Sequence, residues 1–265
     1  MAHQGVRVAT EEDLDAIVAL TAAKRRRLAG WSASWWHPAA GADDLHRVWL
    51  RYLVTADGPI VRVLIDDDVV VGCAVSIPQG SQWFIDDVAL AENEPQAPWG
   101  IDLLSAIEER PALTCIPTLD IDSTLTAEQA GLELTSSYWI RGTEAGDLTG
   151  AGPVSSLAGD GPRHSFGGPF DPADRASLAF SISGGVVVGS APTAAPPIYG
   201  SGGTVAIVDR VLGDDRPSLL RAAVAAAHQR GDVLVCVVCG AGDVELAAAL
   251  PSAGFTRTVE VYAWP

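Results

Sequence analysis

With 265 residues, 48% of them hydrophobic and 6% aromatic, the chain has enough apolar material for two modest cores, as expected of a two-domain α/β protein at ~150 residues per domain. A formal net charge of −16 repels nucleic acid and anionic membrane at long range, so neither is an expected partner. No apolar run approaches the ~20 residues a bilayer requires, no leader pattern opens the chain, and Cys73, Cys115, Cys236 and Cys239 all lie in strand-like apolar runs. A cytoplasmic, reduced location is the expectation.

The chain opens as a strand over 6–8 and then a helix. Thr10 stands as N-cap with Asp13 three residues on as the capping-box acid. Leu14, Ile17, Val18 and Leu20 form an apolar stripe that carries to about Leu28. The run Lys24-Arg25-Arg26-Arg27 falls at the predicted C-terminal turn and suits the negative end of the helix dipole; binding an anionic group such as phosphate is the alternative. The segment WSASWWHPAAG follows, and its aromatic density marks either a ligand-facing wall or a loop packed onto its own domain. Asp43 begins a second helix through Leu45, Val48, Trp49 and Tyr52. Two β-branched runs, 60–65 and 69–77, flank Asp66-Asp67-Asp68 as a hairpin. Next comes WFIDDVALAENEPQAPWGIDLLSAIEER: a strand apolar at Trp83, Ile85, Val88 and Leu90, an acidic turn with two prolines, and a helix from near Trp99. A strand over 113–121, a short helix over 124–130 and a strand over 133–141 complete the first half.

From 142 to about 170 Gly, Pro, Ser and Asp dominate, and 143–162 reads as a linker. Strands are expected over 176–182 and 185–189, and the Pro-rich 191–203 as a loop or edge. TVAIVDRVLGDDRPSLLRAAVAAAHQR then repeats strand, acidic turn and helix, with Leu219-Leu220 matching Leu103-Leu104 and Pro217 in the first helical turn. An apolar strand over 232–239, a helix capped by Asp243 and a strand over 255–264 finish the chain. The doubling predicts a complete lobe over 1–142 and, over 163–265, a second lobe truncated at its N-terminal side.

This order of elements resembles the GNAT superfamily of acyl-CoA N-acetyltransferases. VRVATEEDLDAIVAL is similar to the family's first strand and helix, VVVGCAVSI followed by WFIDDVALAE to its central strands, and AGLELTSSYWIRG and AGFTRTVEVYAW to its closing strand, once in each half. The resemblance implies an α/β (α+β) protein of tandem GNAT-like mixed sheets flanked by helices. It also implies acetyl-CoA, or another acyl-CoA, held where the fourth strand splays from the fifth. Val88, Ala89 and Leu90 then correspond to the strand residues that meet the pantetheine arm, and Gln96, Trp99, Gly100 and Ile101 stand in the place of the phosphate-binding turn. The family pattern Q/R-x-x-G-x-G/A is not met: Trp99 and Ile101 occupy its glycine positions, and Pro98 removes a donor. The second copy, GDDRPSLL, departs further, with only Arg216 offering a phosphate ligand.

Acetylation of an amine needs a base and an aligned thioester. In this family a carboxylate on or near the fourth strand often serves, which makes Asp86 and Asp87 the catalytic candidates. Strand alternation lets only one of them face the cleft, with Asp86 sharing the face of Val88; a cap or pair at a strand bulge is the structural alternative. The family's tyrosine acid has no equivalent in TAEQAGL, and Pro251 takes its place in AALPSAGF. Tyr138 and Tyr262 lie in closing strands as packing residues. Trp35, Trp36 and His37 stand where acceptor substrates bind in the family. Cys236 and Cys239, three apart in a strand, point to opposite faces as core cysteines, and no metal is expected. The expected function is N-acetylation of a small amine in the first lobe. The alternative is a catalytically degenerate GNAT-like protein that binds a small ligand or protein partner without acetyl transfer.

Overall fold

The computed structural model describes residues 5–31, 37–91, 96–153, 180–182, 185–189, 193–194 and 203–264. Contacts between Cα atoms divide the chain into two compact units, the first centred on Met1–Thr135 and taking in Glu260–Pro265, the second formed by Ser136–Pro196 and Gly200–Val259. Whereas the sequence places the division in the 143–162 linker, the unit boundaries fall inside two strands, β6 (Glu133–Gly142) and β13 (Thr256–Trp264).

In the first unit β1 (Gly5–Val8) leads through a 3-10 turn into α1 (Leu14–Trp31). Asp13 accepts the Thr10 amide at 2.8 Å and a two-pronged bond from Arg7 at 2.7 and 2.8 Å. The Arg7 bonds are the main reason its carboxyl titrates at about 2. Nothing between Leu28 and Trp31 breaks the helix, so α1 runs past its expected end and no basic residue lies in its last turn. The run Lys24–Arg27 is therefore interior to the helix and does not serve its dipole. After α2 (Ala42–Thr55), β2 (Ile60–Asp66) and β3 (Val69–Gln79) form the expected hairpin. Asp67 and Asp68 turn it with φ of 46° and 63°, the left-handed pair that matches strand twist. There follow β4 (Gln82–Leu90), α3 (Gln96–Ser105), β5 (Ala112–Pro117) and α4 (Ile121–Gln129). The fifth strand stops short of its predicted end because Asp120 caps α4, accepting the Ser123 amide.

β1 to β4 pair antiparallel in sequence order, and β5 joins β4 in parallel. One face carries Val61, Val63, Cys73, Val75 and Ala89 against α1 and α2. The other carries Leu64, Ala74, Ile85 and Leu90 against α3 and α4, where Tyr262 and Trp264 also pack. Each face thus holds its own apolar cluster, as a sheet covered on both sides requires.

The second unit contains β7 (Gly152–Pro153), β8 (Phe180–Ile182), β9 (Gly185–Gly189), β10 (Thr193–Ala194), β11 (Thr204–Leu212), α5 (Arg216–Arg230), β12 (Leu234–Gly240) and α6 (Val244–Ser252). Ser136–Gly142 of β6 pairs antiparallel with β12, β12 parallel with β11, and β11 antiparallel with β9 and β10. Among the described residues no helix precedes β11 in this unit; much of the stretch on which the expected truncation rests lies outside them. Residues 176–179 of the predicted strand lie outside the described residues. Cys236 and Cys239 are buried and in no disulfide. No helix of the described residues is long and apolar enough to cross a membrane.

Candidate functional site

β4 carries two adjacent carboxylates on a strand that breaks its own alternation. Against β3, Asp87 pairs with Val75 and Ile85 with Ser76, so Asp86 is an extra residue, a β-bulge. Side-chain parity agrees. Ile85 and Leu90, an odd number of residues apart, belong to one apolar cluster, whereas an unbroken strand would put them on opposite faces. The bulge places both acids toward the first two helices: Asp87 contacts Lys24 of α1, and Asp86 has the Trp49 side chain of α2 as a neighbour. This corrects the expectation that the two acids face opposite ways and that Asp86 shares the face of Val88; Val88 packs with Ile85.

A bulge also bends its strand. Pairing of β4 with β5 joins Trp83 to Ala112, Phe84 to Leu113 and Ile85 to Thr114, and ends there, one residue before Asp86. The Thr114 hydroxyl donates to the Ile85 carbonyl at 3.0 Å and closes the apex. Beyond it a cavity of about 360 Å³ opens, with Val88 and Leu90 on one side and Thr114 to Pro117 on the other. Lys24, Arg27 and Trp31 of α1 line it, as do Gly100 and Leu104 of α3 and Asp120, Asp122, Ser123, Thr126 and Ala127 around the start of α4. Of the residues expected to hold the cofactor strand-wise, Val88 and Leu90 line this cavity, while Ala89 is buried on the opposite face.

The segment expected as a phosphate-binding turn is helical from Gln96 onward. Donors free of intrahelical partners therefore belong to the first turn, at Gln96 and Ala97, since Pro98 has none. The Gly100 and Ile101 amides fall inside the helical ladder. Gly100 has a packing reason to be glycine: a Cβ there would lie 2.6 Å from Cγ2 of Thr126, so α3 crosses α4 at close range.

A charged network backs the acids. Lys24 Nζ donates to Asp87 Oδ1 at 2.9 Å, with side chains 14% and 17% exposed. His46 Nε2 lies 3.9 Å from the other carboxylate oxygen. Arg25, buried in α1, donates to His46 Nδ1 and, at 2.6 Å, to Asp43. Because an arginine is always a donor there, the neutral imidazole carries its proton on Nε2, toward Asp87. Burial lowers the His46 pKa below its ordinary value, with Asp87 opposing. Burial would also lower Lys24, but Asp87 in contact, with Asp120 and Asp86 nearby, carries it above its usual value. Asp86 is the group most changed. Burial first, then the charge of Asp87, push it up to about 7, against Lys24 and the neighbouring Trp49 side chain.

In the sequence Lys24 and Arg25 read as part of a helix end, with anion binding as the alternative, and nothing singles out His46. The available signal was spacing. Lys24, Arg27 and Trp31 stand at i, i+3 and i+7, which on one continuous helix is a single face. Trp35 and Trp36 lie outside the described residues. His37 is exposed and begins the described segment after them.

The second unit repeats the frame without the room. In β11, Val208 pairs with Gly189 and Arg210 with Val188, so Asp209 is the bulged residue, and parallel pairing with β12 ends at Val208 and Val237. Aligning Val237 with Thr114 brings the chain without a gap to Asp243 at Asp120, both N-caps, and Gly254 at Gly131. Where the first unit has Ser123 and Ala127 at its cavity, the second has Leu246 and Leu250, buried in its core. The Leu219-Leu220 match sets Arg216 at Gly100, and Arg216 is held by Asp243 at 2.8 Å and Glu245 at 2.9 Å. A cavity of about 400 Å³ elsewhere in this unit is edged by Glu144, Asp147, Asp214 and Asp215 with Arg221, away from the strand split.

No protein-family model matches the sequence, and no curated protein does. Solved structures match in fold. The GCN5-related N-acetyltransferase from Sphaerobacter thermophilus aligns over 98% of this chain and 95% of its own, with a TM-score of 0.51 and 14% identity. A Thermoplasma acidophilum protein assigned to the acetyltransferases aligns over 98% of both chains, with a TM-score of 0.53 and 13% identity. At such identities the likeness is one of fold, and both alignments run the length of the chain.

Proposed function

The chain has the fold of the GNAT superfamily, and from that premise we propose that its first unit is an acyl-CoA-dependent N-acetyltransferase acting on a small amine. One observation carries the reading: β4 parts from β5 at the bulge that carries Asp86, and the cavity that opens there is lined by Lys24, the cation in contact with Asp87. The apolar walls at Val88, Leu90, Ile116 and Ala127 suit a pantetheine arm, and the first turn of α3 together with Arg27 supplies donors for phosphates. Asp86 is the base. A carboxylate with a pKa near the working pH is ionised often enough to accept a proton and basic enough to hold it. It takes the proton of the attacking amine as the amine nitrogen bonds the thioester carbonyl carbon. The carbon–sulfur bond then breaks, leaving the amide and coenzyme A.

A second reading has one observation in its favour. The first turn of α3 lacks the glycines of the family's phosphate turn and contains Pro98, which fits a degenerate protein that binds a small ligand or protein partner without catalysis. Steady-state assays of thioester cleavage over a panel of amines separate the two. On the enzymatic reading at least one amine accelerates acetyl-CoA cleavage, and Asp86→Asn loses about 100- to 10,000-fold in kcat/KM. Binding of acetyl-CoA with no amine-dependent turnover would favour the second reading. Four cysteines in no disulfide suit a cytoplasmic setting.

A further inference from the structure

Acyl transfer leaves a thiolate behind, and the cavity is a poor solvent for one. Its walls include Val88, Leu104, Ile116 and Ala127, all apolar, and the start of α4 adds the hydroxyls of Ser123 and Thr126 and the carboxylates of Asp120 and Asp122, which would repel a thiolate. A thiolate forming there without a positive neighbour would carry a desolvation penalty into the transition state. Two cations line the cavity, Lys24 and Arg27. Lys24 is the one tied to β4: its Nζ is 2.9 Å from Asp87, two residues beyond the last β4 residue paired with β5. Arg27 lies about one helical turn further along α1. An ammonium has three donors, and the bond to Asp87 uses one of them.

We propose that Lys24 is a catalytic residue whose ammonium stabilises the departing coenzyme A thiolate, an inference that rests on the acyltransfer reading above. As the amine nitrogen bonds the carbonyl carbon, the carbon–sulfur bond breaks and its electron pair goes to sulfur. Asp86 holds the proton from nitrogen, and Lys24 pairs with the thiolate until water protonates it. The groups that set the field at Lys24 are Asp86 and Asp87 on β4, Asp120 before α4, His46 of α2, and Arg25 and Arg27 of α1. Lys24 remains protonated among these carboxylates, so it acts by charge and keeps its proton.

The test compares the thiol and thioester forms of one ligand. Coenzyme A and acetyl-CoA are titrated into the full chain by calorimetry between pH 7 and 9, and ionisation of the bound thiol is followed by thiolate ultraviolet absorbance. The proposal expects the bound thiol to titrate at least about one pH unit below the free thiol, a tenfold gain in thiolate, so that coenzyme A tightens relative to acetyl-CoA as pH rises. Lys24→Met removes that pH-dependent gain, and Lys24→Arg, which keeps the charge, restores part of it. An affinity ratio that is flat with pH in the unaltered protein overturns the inference without any variant, even if Lys24→Met fails to fold, and leaves the acyltransfer reading intact. If neither ligand binds at millimolar concentration, that reading falls and the inference with it.

Discussion

Asp86 and Asp87 show how two identical side chains in sequence acquire different chemistry. Asp87 has a cation in contact and a histidine beyond it, and so has fixed partners. Asp86 has an indole and the repulsion of its neighbour, and its carboxyl titrates near 7. The sign of the linked stability follows. A carboxyl whose folded pKa is raised favours the folded state below its ordinary value of 3.8, and that contribution is lost as pH rises through about 7. Asp86→Asn, which cannot ionise, should therefore be more stable than the unaltered protein at pH 8, by about 1–3 kcal/mol in urea denaturation. The difference should shrink toward pH 5. An Asn variant less stable at pH 8 than at pH 5, relative to the unaltered chain, would show that the Asp86 charge is compensated. Activity moves the other way: kcat/KM should rise with pH with a midpoint near 7, the limb disappearing in whatever activity Asp86→Asn retains.

At the scale of elements, the site is produced by one inserted residue and one missing side chain. The bulge at Asp86 bends β4 away from β5, and Gly100 lets α3 approach α4. Threonine is stiff at χ1, so Thr126 has little freedom to give way. Gly100→Ala should cost about 1–3 kcal/mol in thermal or chemical unfolding, and adding Thr126→Ser, which removes the opposing methyl, should recover most of it. Lack of recovery would place the strain elsewhere. Much of this layer was legible in the sequence. The capping box at Thr10 and Asp13, the Asp67-Asp68 turn, the Asp243 cap and the strand-turn-helix repeat all follow from local chemistry. The bulge was not legible, because Asp86-Asp87 reads as ordinary alternation until the partner register of β3 is known. The interior placement of Lys24–Arg27 was missed for a related reason: a basic run near a glycine signals a helix end, and only tertiary packing carries the helix on to Trp31. The helical start at Gln96 overrode a loop reading taken from family pattern, since nothing in QAPWGID after Pro98 breaks a helix.

At the scale of the whole molecule, two units share a bulged strand with an aspartate, a parallel neighbour that parts from it there, and a capped helix beyond. They differ in what stands at the opening. Gly100, Ser123 and Ala127 leave space in the first unit; Arg216, Leu246 and Leu250 hold those positions in the second. On the proposed function the coenzyme binds in the first unit alone. Ser123 is only partly buried, so a bulky residue there fills the cavity without rebuilding the core. Isothermal titration of acetyl-CoA into the chain and into Ser123→Trp tests this directly. The account predicts a single equivalent bound per chain and no binding to the folded Ser123→Trp variant. Two equivalents, or a single equivalent whose affinity Ser123→Trp leaves unchanged, would contradict it.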